Sequence, residues 1–224
     1  PVYDKPMVFY PIATLVQAGI TEIMIVTGGP HAGHFIQVLR NGRELGIKHL
    51  EYAYQEREGG IAEPLSLCED LADGGKIAVI LGDNTTDADI SQPVASFESG
   101  AMVFLRHVPD PERFGVPVFD PSDPRRIVAI EEKPAQPKSS YAVTGLYLYD
   151  HRVFDIIRTV KPSGRGELEI TDVNNTYIAW GELQWAELGG FWSDAGTFAS
   201  LFRAGAYWAQ KQSRRPCEDF GQYM

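Results

Sequence analysis

Asp83, Asp194, Lys5, Lys133, Arg165 and Gln55 have the side chains that phosphate and nucleotide chemistry uses. Asp83 follows an apolar run, Ile77-Ala78-Val79-Ile80-Leu81, and lies in the turn Gly82-Asp83-Asn84. Buried-type residues ending in a small turn and a carboxylate describe a central parallel strand that delivers an acid to the edge of a sheet. Ligands of open α/β sheets gather beyond such strand ends. An aspartate there can hold a divalent metal against phosphates; on this segment alone it can equally cap the next helix or turn. Asp194 precedes Ala195-Gly196, another sharp turn, and suits either a metal or the N-terminus of a helix starting near Thr197. Lys133 leaves a strand just before Pro134, which fixes its exit. Arg165, between Gly164 and Gly166, can fork onto phosphate oxygens. Surface exposure is the ordinary fate of Lys5, Lys133 and Arg165 alike. Gln55 opens the loop Gln55 to Gly60 with the donor and acceptor that a pyrimidine edge requires.

The elements that would position these groups alternate in type through the first half, which argues for an α/β sheet. Pro6 to Ala18 has a helical apolar period that Gly19 ends. Glu22 to Thr27 reads as a strand, His31 to Arg40 as a helix and Lys48 to Tyr54 as a strand. Ile61 to Leu71 is helical, and Lys76 to Leu81 is the strand that leads to Asp83. Ala101 to Val108 is a further strand. Val116 to Phe119 and Ile127 to Glu132 form strands around the turn Pro121-Ser122-Asp123-Pro124. Ala142 to Tyr149 is a strand whose Gly145 marks a close backbone approach. Val153 to Val160 and Glu169 to Trp180 are helical. Thr197 to Lys211 is an amphipathic helix with Phe198, Leu201, Phe202 and Tyr207 as expected core residues.

A chain of 224 residues is long enough for one sizeable domain. A net charge of −10 argues against general nucleic-acid binding, which runs on phosphate neutralisation, but leaves room for a nucleotide substrate. Cys68 lies in an apolar helical pattern and Cys217 in a polar tail; neither has metal-ligand or disulfide spacing, which fits a reducing cytosol. His31 and His34 read as a loop and a helix start. No apolar stretch has membrane-spanning length, and no signal peptide is visible. Asp87-Ala88-Asp89 matches the D-x-D pattern of metal-binding glycosyltransferases, but it lies past the strand end and is taken as chance.

The motifs then fall into a recognisable order: Pro1-Val2-Tyr3-Asp4-Lys5-Pro6-Met7, Gly82-Asp83-Asn84, Glu131-Glu132-Lys133-Pro134, Tyr141-Ala142-Val143-Thr144-Gly145-Leu146-Tyr147, Arg165-Gly166-Glu167-Leu168-Glu169-Ile170-Thr171-Asp172 and Trp192-Ser193-Asp194-Ala195-Gly196-Thr197. This series resembles the glucose-1-phosphate thymidylyltransferases, a branch of the sugar-phosphate nucleotidyltransferases, from Pro1 to about Tyr207. The resemblance implies a Rossmann-like α/β fold with a mixed, mostly parallel sheet flanked by helices, over residues 1–212, followed by a polar tail at 213–224. It implies Mg²⁺-dependent transfer of thymidylate from dTTP to glucose 1-phosphate, giving dTDP-glucose and pyrophosphate in the cytoplasm. Asp83 and Asp194 then become the metal pair. Lys5 contacts the triphosphate, Lys133 the sugar phosphate, and Arg165 completes the cation set. Glu132 meets glucose hydroxyls, with main-chain groups at Gly115 and Val143 beside it. Gln55 and Gly60 take positions that contact thymine. Glu63 is read as a first-turn acid favoured by the helix dipole, not as a base contact.

Family members begin with a strand and a Gly-rich loop of the type G-G-x-G-T-R-L, which this sequence does not show. That strand is central in the family, so the expectation is that residues preceding Pro1 supply it or another segment fills its place. Two further readings stay open: uridylyl or another nucleotidyl transfer to a related sugar 1-phosphate, and a non-catalytic subunit that binds nucleotide sugars. A homo-oligomer is an open assembly, because the long members' C-terminal helices have no counterpart after Tyr207.

Overall fold

The computed structural model describes residues 1–30, 32–57 and 59–213. The expectations for His31, Cys217 and the tail beyond Ser213 fall outside the described residues. In chain order the elements begin with α1 (Phe9–Gln17), β1 (Glu22–Gly28), α2 (Ala32–Leu39) and β2 (His49–Gln55). Then come α3 (Ala62–Ser66), α4 (Glu69–Ala72), β3 (Ile77–Ile80), β4 (Thr85–Thr86), α5 (Ser91–Ser96) and β5 (Ala101–His107). The second half holds β6 (Gly115–Asp120), β7 (Asp123–Glu132), β8 (Tyr141–Tyr149), α6 (Val153–Thr159) and α7 (Ile170–Trp180). It closes with β9 (Leu183–Glu187), β10 (Trp192–Ser193) and α8 (Phe198–Ser213).

β8 is the hub. Its aliphatic and aromatic residues are buried almost throughout, as in a strand covered on both faces. One edge carries β5 along its length. The other edge is shared: β3 pairs with it from Leu146 to Tyr149, and β6 joins it at Val143. β9 runs parallel to the far side of β5, and β7 folds back on β6 as a hairpin. The two residues of β4 and the two of β10 form their own antiparallel ladder. The sheet is mixed, as expected. Its balance differs from the expectation, because five pairings are antiparallel and two parallel among the described residues. β3 itself runs antiparallel to β8, not parallel to a neighbour.

β1 and β2 form a separate parallel pair. Between β1 and β3 lies a cleft of about 680 Å³, walled by Glu22 to Val26 on one side and Ile77 to Gly82 on the other, with Ile12 and Leu15 of α1 beneath. The run from Ile77 to Leu81 was expected to be a central, buried strand. Every residue of β3 is instead only half-buried, because among the described residues no strand lies against its edge facing β1.

The helices follow their apolar periods with two departures. The expected helix from Ile61 to Leu71 divides at Leu67 and Cys68, whose amides bond three residues back, to Pro64 and Leu65, and so tighten the turn. In α8, Phe198 is 96% exposed and Phe202 76% exposed, contrary to the expected core. Ser200 and Ala204, one turn apart, face inward instead and let the helix approach the cluster of Val2, Tyr10 and Ala195. Leu201 packs there and Tyr207 stacks on Phe191. Lys211 and Tyr207 both bond the Asp87 carboxylate, which fixes that rotation.

Candidate active site

The shared edge of β8 makes the site. β3 leaves β8 where the Leu81 amide donates to the Gly145 carbonyl, and β6 arrives at Val143. A strand rises about 3.4 Å per residue, so the two neighbours diverge within about 7 Å. Gly145 is where a Cβ would fall 2.6 Å from Asn84 Nδ2 and 2.7 Å from Leu81. Only glycine lets the end of β3 close over β8. The turn beyond β3 and the first residue of β6 therefore open onto one fork.

Asp83 and Asp194 lie on one side of it. The ladder Thr85↔Ser193 and Thr86↔Trp192 places the residues before β4 beside those after β10. Asp83 and Asp194 accordingly converge. A Cβ on Gly196 would stand 3.1 Å from Asp83 Oδ2 and 3.6 Å from Asp194 Oδ2. Burial pushes the Asp83 carboxyl above its usual range, and the Asp194 charge adds to the effect against the Asn84 hydrogen bond. Asn84 Nδ2 donates to Asp83 Oδ1 at 3.0 Å, and its own Oδ1 accepts from Trp192 Nε1 at 2.6 Å. Among the described residues no group of three or more acidic, His or Cys side chains could hold a metal. Two converging carboxylates over a cradle that a methyl would fill still suit Mg²⁺, which takes one or two carboxylates and fills its remaining positions with water and phosphate oxygens. Among the described residues neither aspartate makes a side-chain bond capping a helix.

The other side of the fork is a row across three strands. Gly115 pairs with Glu132 of β7 on one flank and with Val143 of β8 on the other. A Cβ at Gly115 would sit 3.5 Å from Thr171 Oγ1, which itself donates to Glu132 Oε2 at 2.6 Å. Thr171 belongs to the first turn of α7, and Asn175 one turn on holds Ile130 of β7 through both its amide groups. The helix thus fixes the strand that carries Glu132.

Lys133 follows in the left-handed region at φ 43°, and Ala195 beside Asp194 does the same at φ 44°. Each such non-glycine residue costs about 1–3 kcal/mol. The Lys133 amide donates to Phe114 O at 3.0 Å, while its ammonium, half exposed, lies 3.8 Å from Glu132. Arg165 is gripped by Glu169, both of whose carboxylate oxygens accept from Nη2 at 2.9 Å, and it reaches Glu132 at 3.5 Å. Lys5 is exposed in a turn closed by backbone bonds to Val2, with no side-chain partner among the described residues. Val2 of this turn packs in the same cluster as Ala195, the neighbour of Asp194 in sequence.

The base loop ends near the same fork. Gln55 closes β2, and the Leu168 amide donates to Gly59 O at 2.7 Å while Leu168 O accepts from the Ala62 amide at 3.2 Å. Gly60, at φ 88°, presses on Leu168, where a Cβ would meet the carbonyl oxygen at 2.5 Å. Glu63 lies in the first turn of α3, as expected, and has a further role. It holds Arg57 at 2.8 Å and accepts from Gln55 Nε2 at 3.3 Å, so it orients the loop and does more than favour a helix dipole.

Three groups were not assigned from sequence. Arg113 donates to Asp194 Oδ2 at 2.5 Å and to Asp110 at 2.9 Å. Tyr147 is buried on β8, its hydroxyl raised by burial and then by the charges of Glu132 and Asp83, so it lies between the two halves of the site. Thr171 fixes Glu132. Tyr147 and Thr171 lie inside the recognised motifs, but their types gave no signal of a partner. Asp87 and Asp89 serve structure: Asp87 ties α8, and Asp89 accepts from the Ser91 amide at the start of α5.

A family model described as nucleotidyl transferase matches residues 1–211. The glucose-1-phosphate thymidylyltransferase of Actinoplanes sp. is 45% identical over 212 residues, covering 92% of this chain and 69% of the relative. That of Neisseria gonorrhoeae is 42% identical over 213 residues, covering 92% and 73%. A crystal structure from Bacillus anthracis, assigned as a glucose-1-phosphate thymidylyltransferase and complexed with a sucrose, superposes with a TM-score of 0.86 at 49% identity, covering 92% of this chain and 84% of its own. UDP-glucose pyrophosphorylase complexed with UDP-glucose matches with a TM-score of 0.82 at 22% identity over 94% of this chain and 89% of its own, a likeness of fold alone.

Proposed function

The chain belongs to the nucleotidyl transferase family, and from that premise we propose that it transfers thymidylate from dTTP to glucose 1-phosphate, releasing pyrophosphate. The observation that carries this reading is the fork on β8, which sets a carboxylate pair and a sugar-sized row of neutral and acidic groups within reach of one phosphate. A phosphate oxygen of glucose 1-phosphate attacks the α-phosphorus, that P–O bond forms, and the bond to the leaving pyrophosphate breaks. Such transfer depends on alignment and on neutralising charge.

Glu132 accepts from glucose hydroxyls, and the backbone at Gly115 and Val143 flanks the ring. Lys133, whose backbone amide is anchored to Phe114 O, extends its ammonium toward the sugar phosphate. Arg165 contributes its fork while Glu169 keeps it in place. Lys5, in the exposed turn that packs through Val2, meets the triphosphate tail. Asp83 and Asp194 would hold Mg²⁺, which when bound neutralises phosphate charge. Gln55, oriented by Glu63, pairs with the imide edge of thymine, and Gly60, closed on Leu168, holds the loop in place beside the base.

The cleft between β1 and β3 belongs to the same reading. The competent protein seats an extended apolar segment there, joining the β1–β2 pair to the main sheet. Support comes from two facing strand edges without partners and from apolar walls. Slow exchange of the Ala78 and Ile80 amides, which alternate with the Leu81 amide bonded to β8 and so face the cleft, is the expected result; fast exchange there would show the cleft to be open. A cytosolic setting accords with the substrates, and no helix among the described residues is long and apolar enough to cross a membrane.

Pyrophosphate release by the full chain tests the main reading, with Mg²⁺, glucose 1-phosphate and each triphosphate in turn. dTTP should be preferred over CTP and the purine triphosphates. Faster turnover with UTP would move the assignment to uridylyl transfer. Binding of nucleotide sugar without turnover under any triphosphate would make the protein a binding subunit.

A further inference from the structure

Arg113 occupies a place that the family reaction leaves without a role. Its Nη2 donates to Asp194 Oδ2 at 2.5 Å, and Oδ2 is the oxygen that faces Asp83 across Gly196. Its other arm, Nη1, donates to Asp110 Oδ2 at 2.9 Å. The guanidinium also lies over the Phe114 ring, 5.0 Å from its centroid. Phe114 in turn meets Trp192 edge-on at 5.5 Å, and Trp192 bonds Asn84, which bonds Asp83. A closed chain of contacts thus runs from one carboxylate of the pair to the other, with Arg113 as its only cation.

We propose that Arg113 is a resident counter-ion that takes the divalent metal's place at Asp194, beside Asp83, and sets the metal affinity of the site. This rests on the reading of the two aspartates as the metal pair. Two carboxylates brought together and partly withdrawn from water repel each other unless a cation is shared between them. In the metal-free protein the guanidinium supplies that charge at Asp194. A metal reaching Oδ2 must displace one charge-assisted hydrogen bond. The displaced arm does not wander, because Asp110 and Phe114 still hold the rest of the guanidinium. Arg113 is therefore a positioning residue: it keeps the two acids folded close when no metal is present and makes metal binding an exchange of cations.

The test is direct binding of Mn²⁺, read by calorimetry or by loss of the free-ion paramagnetic signal, on the full chain without substrates. Wild type, Arg113→Met, Arg113→Lys and Asp83→Asn are compared, with melting temperatures measured with and without Mn²⁺. Arg113→Met should bind Mn²⁺ about tenfold more tightly, because no charge-assisted bond has to be released. It should also melt lower than wild type without metal, while the gap narrows at saturating Mn²⁺. Arg113→Lys, which keeps the charge but loses the fork, should fall between the two and answers the question if the methionine variant does not fold. Unchanged or weaker Mn²⁺ binding in the Arg113 variants, with binding still lost in Asp83→Asn, would overturn the proposal and leave the metal pair standing. Binding indifferent to Asp83→Asn would overturn the metal pair and this inference with it.

Discussion

Replacing Gly60 with alanine strikes the base loop where it is stapled to the segment carrying Arg165. At φ 88° an alanine enters the left-handed region, at a cost of about 1–2 kcal/mol. The new methyl would also lie 2.5 Å from Leu168 O and 2.9 Å from Leu168 N, both backbone atoms that cannot swing aside. To relieve the overlap the loop must lift, and the bonds Leu168 to Gly59 and Ala62 to Leu168 weaken together. At a net 0.5–1.5 kcal/mol per hydrogen bond, the total loss is about 2–4 kcal/mol. A chain of this size then melts lower by about 5–15 °C. In steady-state kinetics KM for dTTP should rise about tenfold or more, while KM for glucose 1-phosphate changes little. Gly33→Ala serves as the control, because Gly33 lies inside α2 with open space around it. If Gly60→Ala melts with wild type and keeps its KM for dTTP, the close approach at Leu168 does not shape the base site.

Asp83→Asn should lower turnover by about a hundredfold or more. Asp83 has a raised folded-state pKa, so its ionisation destabilises the fold as pH rises through that value; the asparagine variant should therefore melt higher than wild type at pH 7, with the advantage gone below the unfolded carboxylate value of about 3.9, as pH-dependent melts would read. Asp87 has the opposite sign: burial pushes it up, but the bonds from Lys211, Tyr207 and the Phe191 amide outweigh that and hold it low. Asp87→Asn should cost about 1–3 kcal/mol at neutral pH, and its deficit should shrink as pH falls through the folded-state pKa of Asp87 in wild type. Phe198→Ser should shift stability by no more than about 0.5 kcal/mol in a denaturant melt, because that ring is exposed.

The long elements were legible because their apolar periods are long: β1, α2, β5, β8 and α7 lie within a residue or two of where the sequence puts them. β4 and β10 were not, since two residues carry no period, although their ladder is what sets Asp83 beside Asp194. Of the four core residues expected in α8, Leu201 and Tyr207 pack inward while Phe198 and Phe202 are exposed; the rotation of the helix is set by Asp87, far away in sequence. Candidate site residues were named through family motifs, and the structure gathers the Glu132, Gly115 and Val143 row and the aspartate pair. Arg113 could not be found that way. An arginine before a phenylalanine and a glycine looks like any surface cation until the fold brings Asp194 to it from 81 residues away.

The cleft beside β3 also gives the molecule a mechanical seam. Strand ladders fix register, whereas apolar contacts do not. Across the cleft Ile23 and Ile25 share an apolar cluster with Ala78 and Ile80, which draws the strands together without setting their register. Gln55 rides at the tip of the β1–β2 pair. The span from the base-recognising end to the fork on β8 is then set by the ladder of the segment seated in the cleft, with a second anchor at Leu168. Weakening that ladder should therefore blur nucleotide selectivity before the sugar row loses its grip.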